Sequence, residues 1–244
     1  MNITALYSFF LGDGSRAVVR FLMITCFLLG GSHTALAQDS APADSQATEA
    51  FAGTTYLVVK AEGMVDNGLF RYIERGIQQA EAEEGAGLIV HMDTFGGLVD
   101  AADKIRKALL DTEVPTLTYI DKNAASAGAL IAFSTDKIIM APGSSIGAAT
   151  VVDGGGTKAS EKMQSYMRGL MRATAEATGR NPRIAEAMVD ERIVIEGITE
   201  EGNLVTLSNS EAVELEMAEG SAASVEEAIA AAGWPEREVQ IVQE

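Results

Sequence analysis

The chain has 244 residues, of which 47% are hydrophobic, and a formal net charge of −17. This acidity argues against nucleic acid as a partner, because phosphate backbones repel an anionic surface. The only cysteine, Cys26, lies in an apolar run near the N-terminus, so the remaining sequence has no thiol for a disulfide, a cysteine nucleophile or a thiolate metal site. We expect neither a metal nor an organic cofactor.

The N-terminal segment has the pattern of an export signal. Arg16 and Arg20 precede an apolar run over residues 21–31, and the small side chains of Ala35 and Ala37 follow it. A positive end, a short apolar run and small residues at the cleavage position predict a signal peptide over residues 1–37, with an uncleaved signal anchor as the alternative. We therefore expect the protein to be exported to the periplasmic or extracytoplasmic face of the membrane.

Two further regions follow the predicted signal. Residues 38–54 are rich in Ala, Ser, Asp and Gln and poor in apolar side chains, which predicts a disordered leader. Residues 55–244 alternate short apolar runs with stretches of helical periodicity, and they are numerous enough for one domain with a substantial core. This stretch is expected to contain the functional domain.

The elements of the domain can be taken in chain order. The pattern predicts strands at 56–59, 87–92, 116–120 and 137–140 and helices at 69–83, 99–110, 126–133, 161–178 and 183–189. It then predicts a hairpin around Gly202 and Asn203, helices at 210–217 and 224–231, and a last strand at 238–242. Such alternation indicates an α/β fold with a largely parallel sheet flanked by helices.

Three segments rich in small residues and glycine follow predicted strands, at 93–97, 123–128 and 141–148. Parallel sheets bind their ligands at these carboxyl ends, and glycine allows a substrate backbone to come close. The three segments therefore predict one site at a single edge of the sheet.

Ser126 is the candidate nucleophile of this site. It lies between alanines at the start of a predicted helix, where its hydroxyl and nearby backbone N–H groups can face one cleft. Gly96 and Gly97 could supply a further N–H to an oxyanion from the opposite side. The alternative is a small-residue helix that simply packs closely against the sheet.

A serine hydroxyl needs a base, and the sequence offers few. His91, the one histidine outside the predicted signal, lies in an apolar strand and is typical of a half-buried core residue. A lysine can act instead when burial disfavours its charged form. Lys162, near the start of the long predicted helix, could reach the cleft, and Lys158, one turn earlier, is its rival.

Four segments together resemble the NfeD family of membrane-bound serine proteases, in the ClpP/crotonase superfamily. The resemblance extends over residues 55–231. The segments are G-L-I-V-H-M-D-T-F-G-G at 87–97, A-A-S-A-G-A-L-I-A at 124–132, M-A-P-G-S-S-I-G-A at 140–148, and Gly179-Arg180-Asn181. The resemblance implies a ClpP/crotonase-like fold and a serine endopeptidase without a cofactor.

The resemblance also implies roles for individual residues. It places a Ser-Lys dyad on Ser126 and Lys162, because the family's lysine lies in the helix that leads into the Gly-Arg-Asn turn. It implies that the oxyanion is bound by backbone N–H groups of Gly96 or Gly97 and of Ala127.

Further implications concern the substrate. The groove is expected at Phe95, Leu98 and Ile146, with Phe95 standing where the family usually has proline. Glu216 also departs from the family, which commonly has glycine there. The implied substrates are hydrophobic segments of membrane proteins, stomatin-like proteins among them, and a membrane-associated homo-oligomer is expected.

Two other functions fit parts of the sequence. A non-catalytic module could hold an apolar tail of a membrane partner in the same groove. An acyl-CoA enzyme of the crotonase kind is disfavoured, because CoA thioesters are cytoplasmic and the acidic surface repels the adenosine phosphates.

Overall fold

The structure, a computed structural model, describes residues 55–83 and 87–243. The signal peptide predicted for residues 1–37 and the leader predicted for 38–54 lie outside the described residues. The strands are β1 (Thr55–Val65), β2 (Gly87–Gly97), β3 (Thr116–Ala125), β4 (Lys137–Met140), β5 (Ser145–Gly147), β6 (Thr206–Ser208), β7 (Gly220–Ser221) and β8 (Glu238–Ile241). The helices are α1 (Asn67–Ala82), α2 (Val99–Asp111), α3 (Ala127–Ala132), α4 (Glu161–Ala177), α5 (Pro182–Ala187), α6 (Asn209–Glu214) and α7 (Val225–Ala231).

The strands of the described residues form one eight-stranded sheet in the order β6-β5-β3-β2-β1-β8, and β4 pairs with β3 and β7. Every pairing is parallel except that of β5 with β6. The predicted α/β fold with a largely parallel sheet is confirmed. Its central strands, β1, β2 and β3, bring their carboxyl ends to one edge.

Strands β2 and β3 extend further than the sequence pattern predicts. Both continue through their small-residue segments, where Thr94 pairs with Ala124 and Asn123 pairs with Ser145. Apart from Thr94, these residues lack the β-branched side chains that mark a strand in sequence, yet their backbones still pair with a neighbouring strand. The segments predicted as loops are therefore held rigidly by the sheet.

Each face of the sheet packs against its own apolar layer. The larger layer joins the first face to α1, α2, α3 and α4 and includes the fully buried Val59, Val90 and Ile120. The smaller layer, around Ile89 and Leu117, covers the second face together with α7. Burying each such aliphatic side chain contributes roughly 2 kcal/mol before entropy costs. No helix within residues 55–83 or 87–243 has the length and apolar content needed to span a bilayer.

The hairpin predicted around Gly202 and Asn203 is wrong. The chain does turn there, with the Gly202 N–H donating to Glu191 O at 2.8 Å. The strand that follows, however, pairs antiparallel with the distant β5 rather than with the segment before the turn. A turn signal shows where the chain reverses and not which segment it then pairs with.

The Gly179-Arg180-Asn181 segment is structural. Gly179 has φ +74° and ends α4 in the left-handed conformation that favours glycine. The buried Arg180 guanidinium donates to the backbone oxygens of Thr135 at 3.1 Å and Met217 at 3.3 Å, and to Glu219 Oε1 at 3.1 Å. Burial lowers the pKa of Arg180, and Glu219 opposes that shift. This segment therefore sets where α4 ends.

Candidate active site

Ser126 occupies a strained turn between β3 and α3. Its φ of 57° and ψ of −118° are rare for a residue with a side chain and cost of order 1–3 kcal/mol. The turn is held by the Ser126 N–H, which donates to Gly147 O at 2.9 Å. The residue is half-buried, and its hydroxyl makes no hydrogen bond to any described residue. A serine in this geometry presents its oxygen as a nucleophile would require.

Gly96 lies directly against this serine. A Cβ built on Gly96 would lie 2.6 Å from Ser126 Cβ and 3.0 Å from Ser126 Oγ, and the residue has φ +103°. Both the conformation and the space exclude a side chain. Gly97 is equally confined, but by β1, because a Cβ on Gly97 would lie 2.2 Å from Val65 O. The glycine pair is required for the close approach of β1, β2 and the serine turn.

The two glycines differ in where their N–H groups point. The Gly96 N–H donates to Thr94 Oγ1 at 3.0 Å, and the Leu98 N–H donates to Val65 O on β1 at 2.8 Å. The Gly97 N–H lies between these two groups and does not make the bond to Val65 on β1, because Leu98 makes it. Gly96 is buried whereas Gly97 is exposed. The geometry therefore favours Gly97 over Gly96 as the oxyanion donor.

Ala127 offers a second donor beside Ser126. It is the first residue of α3, and the first N–H groups of a helix have no partner within the helix. Within the described part of the chain, no carbonyl accepts from the Ala127 N–H. The Ala127 side chain is buried, which holds this peptide unit in place. Ala127 and Gly97 can thus flank one oxyanion.

Lys162 lies in the first turn of α4 and is exposed. It makes no ion pair or hydrogen bond to a described residue. The expectation that this lysine is buried is therefore wrong for the single chain. The inward side of this turn is occupied by Gln164, whose amide donates to Val151 O at 2.7 Å and accepts from the Val151 N–H at 3.1 Å. The assignment of Lys162 as the base stays a prediction.

Lys158, the rival base, is already engaged. Its Nζ lies 2.8 Å from Glu191 Oε1, and both side chains are exposed by nearly half. A carboxylate at this distance stabilises an ammonium and occupies the amine. Between the two lysines, Lys162 is the one left available.

Helices α4 and α2 lie side by side and run in the same direction. Tyr166 donates to Asp103 Oδ2 at 3.2 Å, and further along both helices the Arg106 Nε donates to Thr174 Oγ1 at 2.6 Å. The N-terminal turns of the two helices therefore lie on the same side of the domain. Lys162 is one turn before Tyr166 on the same face, and α2 begins immediately after the glycine pair and Leu98. The backbone of Lys162 is thus on the side that carries the glycine pair.

An ion-pair cluster braces the same end of α4. Asp190, nearly buried, accepts from Arg192 at 2.6 Å and lies 3.1 Å from Arg168 on α4. Hydrogen bonding to Arg192 lowers the pKa of Asp190 to about 2, with Arg168 adding to the shift. Glu161, beside Lys162, also pairs with Arg168 at 2.8 Å. The first two turns of α4 are therefore fixed to the segment around Asp190.

Exposed apolar side chains surround the serine turn. Phe95 is 81% exposed and Leu98 is 51% exposed, as a substrate groove would require. Met64, which pairs with Gly96 across β1 and β2, is 68% exposed and was not predicted. Ile146 is only 1% exposed and packs in the larger core layer, so the prediction that its side chain lines the groove is wrong.

His91 is a half-buried strand residue. Its Nδ1 lies 3.7 Å from Glu62 Oε1, and its ring centre lies 5.6 Å from that of Tyr119 on the neighbouring strand. In the described residues, no group of three or more His, Cys, Asp or Glu side chains is placed to hold a metal ion. His91 is therefore not part of the serine site, and the described residues supply no metal site beside it.

A parallel sheet whose edge holds a serine on a strained turn against a glycine pair defines the ClpP-like class of α/β proteins. ClpP1 from Listeria monocytogenes shares this fold, with a TM-score of 0.53 over 74% of this chain and 95% of that one, at 16% identity. Within this class the chain belongs to the NfeD1b family, because the model of the NfeD1b N-terminal domain matches residues 55–242.

Two curated relatives support this family. Membrane protein NfeD1b of Bacillus subtilis is 34% identical over 191 residues, which cover 78% of this chain and 44% of that protein. Membrane-bound protease PH1510 of Pyrococcus horikoshii is 31% identical over 140 residues, which cover 54% of this chain and 32% of that protein. The chain spans less than half the length of both relatives.

Solved structures agree with the fold. The 1510-N membrane protease of Pyrococcus horikoshii, specific for a stomatin homologue, has a TM-score of 0.58 at 25% identity, covering 78% of this chain and 93% of that one. A lysine-to-alanine variant of the stomatin-specific 1510-N protease, in complex with a substrate peptide, has a TM-score of 0.67 at 24% identity, covering 79% and 93%.

Proposed function

We propose that this chain is a serine endopeptidase in which Ser126 is the nucleophile and Lys162 the general base. The observation that carries the proposal is the Ser126 turn, whose unpaired hydroxyl faces a glycine pair that no side chain could replace. Such strain in a buried frame is characteristic of functional sites. The relation to a membrane-bound protease supports the same reaction class.

The proposed reaction begins when Lys162 Nζ takes the Ser126 hydroxyl proton and Oγ attacks a peptide carbonyl carbon. The N–H groups of Gly97 and Ala127 bind the resulting oxyanion, each contributing roughly 3 kcal/mol by the scale of measured oxyanion holes. The C–N bond then breaks, and the Lys162 ammonium returns its proton to the leaving amine. Water, deprotonated by the same lysine, hydrolyses the acyl-enzyme and regenerates Ser126.

This mechanism requires that Lys162 lose its contact with water. The first turn of α4 and the side chains of Phe95 and Leu98 are all exposed, and we propose that one bound apolar segment covers them together. Desolvation by the substrate would then favour the neutral amine only in the complex. We propose that the base is completed by substrate binding or by contact with a second copy of the chain.

The proposed substrates are hydrophobic segments of membrane proteins, including stomatin-like proteins. The exposed Phe95, Leu98 and Met64 support an apolar preference, since they would bury further area against such a segment. The solved relative's specificity for a stomatin homologue supports the same class. Export to the extracytoplasmic face, association with the membrane and a homo-oligomeric state complete the proposal.

The experiment is labelling with a fluorophosphonate probe, read by intact mass and peptide mapping. We expect one adduct on Ser126, none in Ser126→Ala, and full labelling in the matched control Ser165→Ala, which alters an exposed serine of α4. Cleavage of an apolar peptide should follow the same order. Labelling elsewhere, or cleavage that persists in Ser126→Ala, would refute the assignment.

A non-catalytic binding module is the second candidate, favoured by the exposure of both Lys162 and the apolar residues around Ser126. It predicts that an apolar peptide binds with the same affinity to the native chain and to Ser126→Ala. A binding module should also form no fluorophosphonate adduct, whatever concentration of apolar peptide is added to the labelling reaction. The labelling experiment therefore separates the two functions.

A further inference from the structure

Thr94 connects three parts of the serine site although it touches no position of the proposed dyad. It lies on β2, two residues before Gly96, and is 1% exposed. A buried hydroxyl has to find partners, because leaving it unpaired costs about 1–3 kcal/mol. Its partners show what it holds in place.

The Thr94 hydroxyl bonds in two directions. It donates to Gly63 O on β1 at 2.5 Å and accepts from the Gly96 N–H at 3.0 Å. Gly63 has φ +72° and lies where the register between β1 and β2 shifts, so β1 offers this carbonyl only because the strand bulges there. The hydroxyl thus replaces the direct backbone bond that the bulge interrupts.

The Thr94 methyl group packs against the helix that follows the serine. A Cβ built on Gly128 would lie 2.6 Å from Thr94 Cγ2, so the methyl fills the space that glycine leaves on α3. Gly128 is two residues after Ser126. One buried side chain therefore contacts both the oxyanion strand and the helix that begins at the nucleophile turn.

We propose that Thr94 is a positioning residue that orients the peptide units of Gly96 and Gly97, an inference that rests on the proposed function. While its hydroxyl holds the Gly96 N–H towards β1, the following N–H, that of Gly97, is directed at the oxyanion. Without the hydroxyl, the buried Gly96 N–H has no acceptor and the peptide can rotate towards water or substrate. The Gly97 donor then loses its direction, which weakens binding of the transition state more than of the ground state.

The test compares Thr94→Val, which keeps the shape and removes the hydroxyl, with Thr94→Ser, which keeps the hydroxyl. We expect Thr94→Val to lower kcat on an apolar peptide by about 10- to 100-fold, with KM changed by less than about twofold. Thr94→Ser should restore kcat to within about threefold of the native value. Amide hydrogen exchange at Gly96 should speed up in Thr94→Val and remain slow in Thr94→Ser.

Thr118→Val is the matched control. Thr118 is a fully buried threonine of β3 whose hydroxyl accepts from Thr135 at 3.0 Å, away from the serine turn. Thr118→Val should lower the free energy of unfolding about as much as Thr94→Val does, while leaving kcat unchanged. A native kcat in Thr94→Val, or an equal fall in all three variants, would overturn the positioning role.

The proposed hydrolase function and the orienting contact of Thr94 can be refuted independently of each other. If the native chain takes no fluorophosphonate label either alone or with an apolar peptide bound, the hydrolase is refuted and the catalytic role of Thr94 falls with it. Gly96 exchange still tests the hydrogen bond in that case, and unchanged exchange in Thr94→Val would refute the orienting contact itself. Normal labelling of the native chain with slow labelling of Thr94→Val alone supports both.

Discussion

The two halves of the proposed dyad are built differently. Ser126 follows the end of β3 and is held by its bond to Gly147 on β5, its closeness to Gly96 on β2 and the burial of Ala127 on α3. Lys162 lies on an exposed helical turn that is fixed only at its neighbours, Gln164 and the cluster around Asp190. In the single chain the serine turn is enclosed by its neighbours, whereas Lys162 is exposed, so the proposed base is the half that requires a covering surface.

If the proposed dyad is correct, this difference places control of the activity at the lysine. A serine and an oxyanion pocket that are always in place need no rearrangement before reaction. A lysine that becomes desolvated only when it is covered would couple proton transfer to substrate binding.

The largest effect is expected at the base half. Lys162→Ala should lower the rate of peptide cleavage by about 10³-fold, since the serine would lose its proton acceptor. The matched control is Lys158→Ala, which breaks the pair with Glu191 and should change the rate by less than about threefold. Steady-state cleavage of an apolar peptide measures both. A reversed order of the two variants would move the base to Lys158.

The next effect is expected at the nucleophile half. Gly96→Ala places a Cβ 2.6 Å from that of Ser126 at a positive φ, so we expect at least about a 10²-fold loss of fluorophosphonate labelling. Gly169→Ala serves as the control, because a Cβ on this helical glycine of α4 meets no atom within 4 Å. That variant should label normally and unfold at slightly higher denaturant. Normal labelling of Gly96→Ala would show that the contact is not tight.

A smaller effect concerns the brace of α4. The folded pKa of Asp190, about 2, is below its unfolded value, so its contribution is present above about pH 4 and is lost as the pH falls towards 2. Asp190→Asn should lower the free energy of unfolding by about 1.5 kcal/mol at pH 7, allowing for the exposed Arg192. Urea unfolding at pH 7 and at pH 2.5 measures the difference. An equal loss at both pH values would refute an electrostatic origin.

The smallest effect lies far from the site. Glu216 ends α6 with φ 56°, a left-handed conformation that glycine adopts without strain. Glu216→Gly should therefore raise the free energy of unfolding by about 0.5–1 kcal/mol, after the entropy that glycine adds to the unfolded chain. Glu214→Gly, within the helix, should lower it instead. Thermal unfolding of the two variants measures both changes. A lower free energy of unfolding in both would contradict backbone strain at Glu216.

The sequence predicted the fold better than the details of the site. Long helices and central strands were found because large apolar residues recur at the helical or strand period. Strands β5, β6 and β7 were missed because two or three residues show no period, and their pairing depends on distant partners. Ser126 was selected because a serine among small residues at a strand end can face a cleft, and its role as nucleophile stays a prediction.

Other features of the site could not be predicted because they depend on packing. The choice between Gly96 and Gly97 rests on which N–H the Thr94 hydroxyl accepts, and that follows from the bulge at Gly63. The burial of Ile146 depends on which side of the three-residue strand β5 faces the core, and so short an element shows no period in sequence. The exposure of Lys162 depends on which side of the first turn of α4 faces the core.

Arg180 has a consequence for how the domain opens. Its guanidinium is bound to two segments, one at residue 135 and one at residues 217–219, which are far apart in sequence. If any one of them detached, a cation would be left in an apolar interior without full compensation. These segments should therefore behave as one cooperative unit, exchanging their amide hydrogens together and only through unfolding of the whole domain.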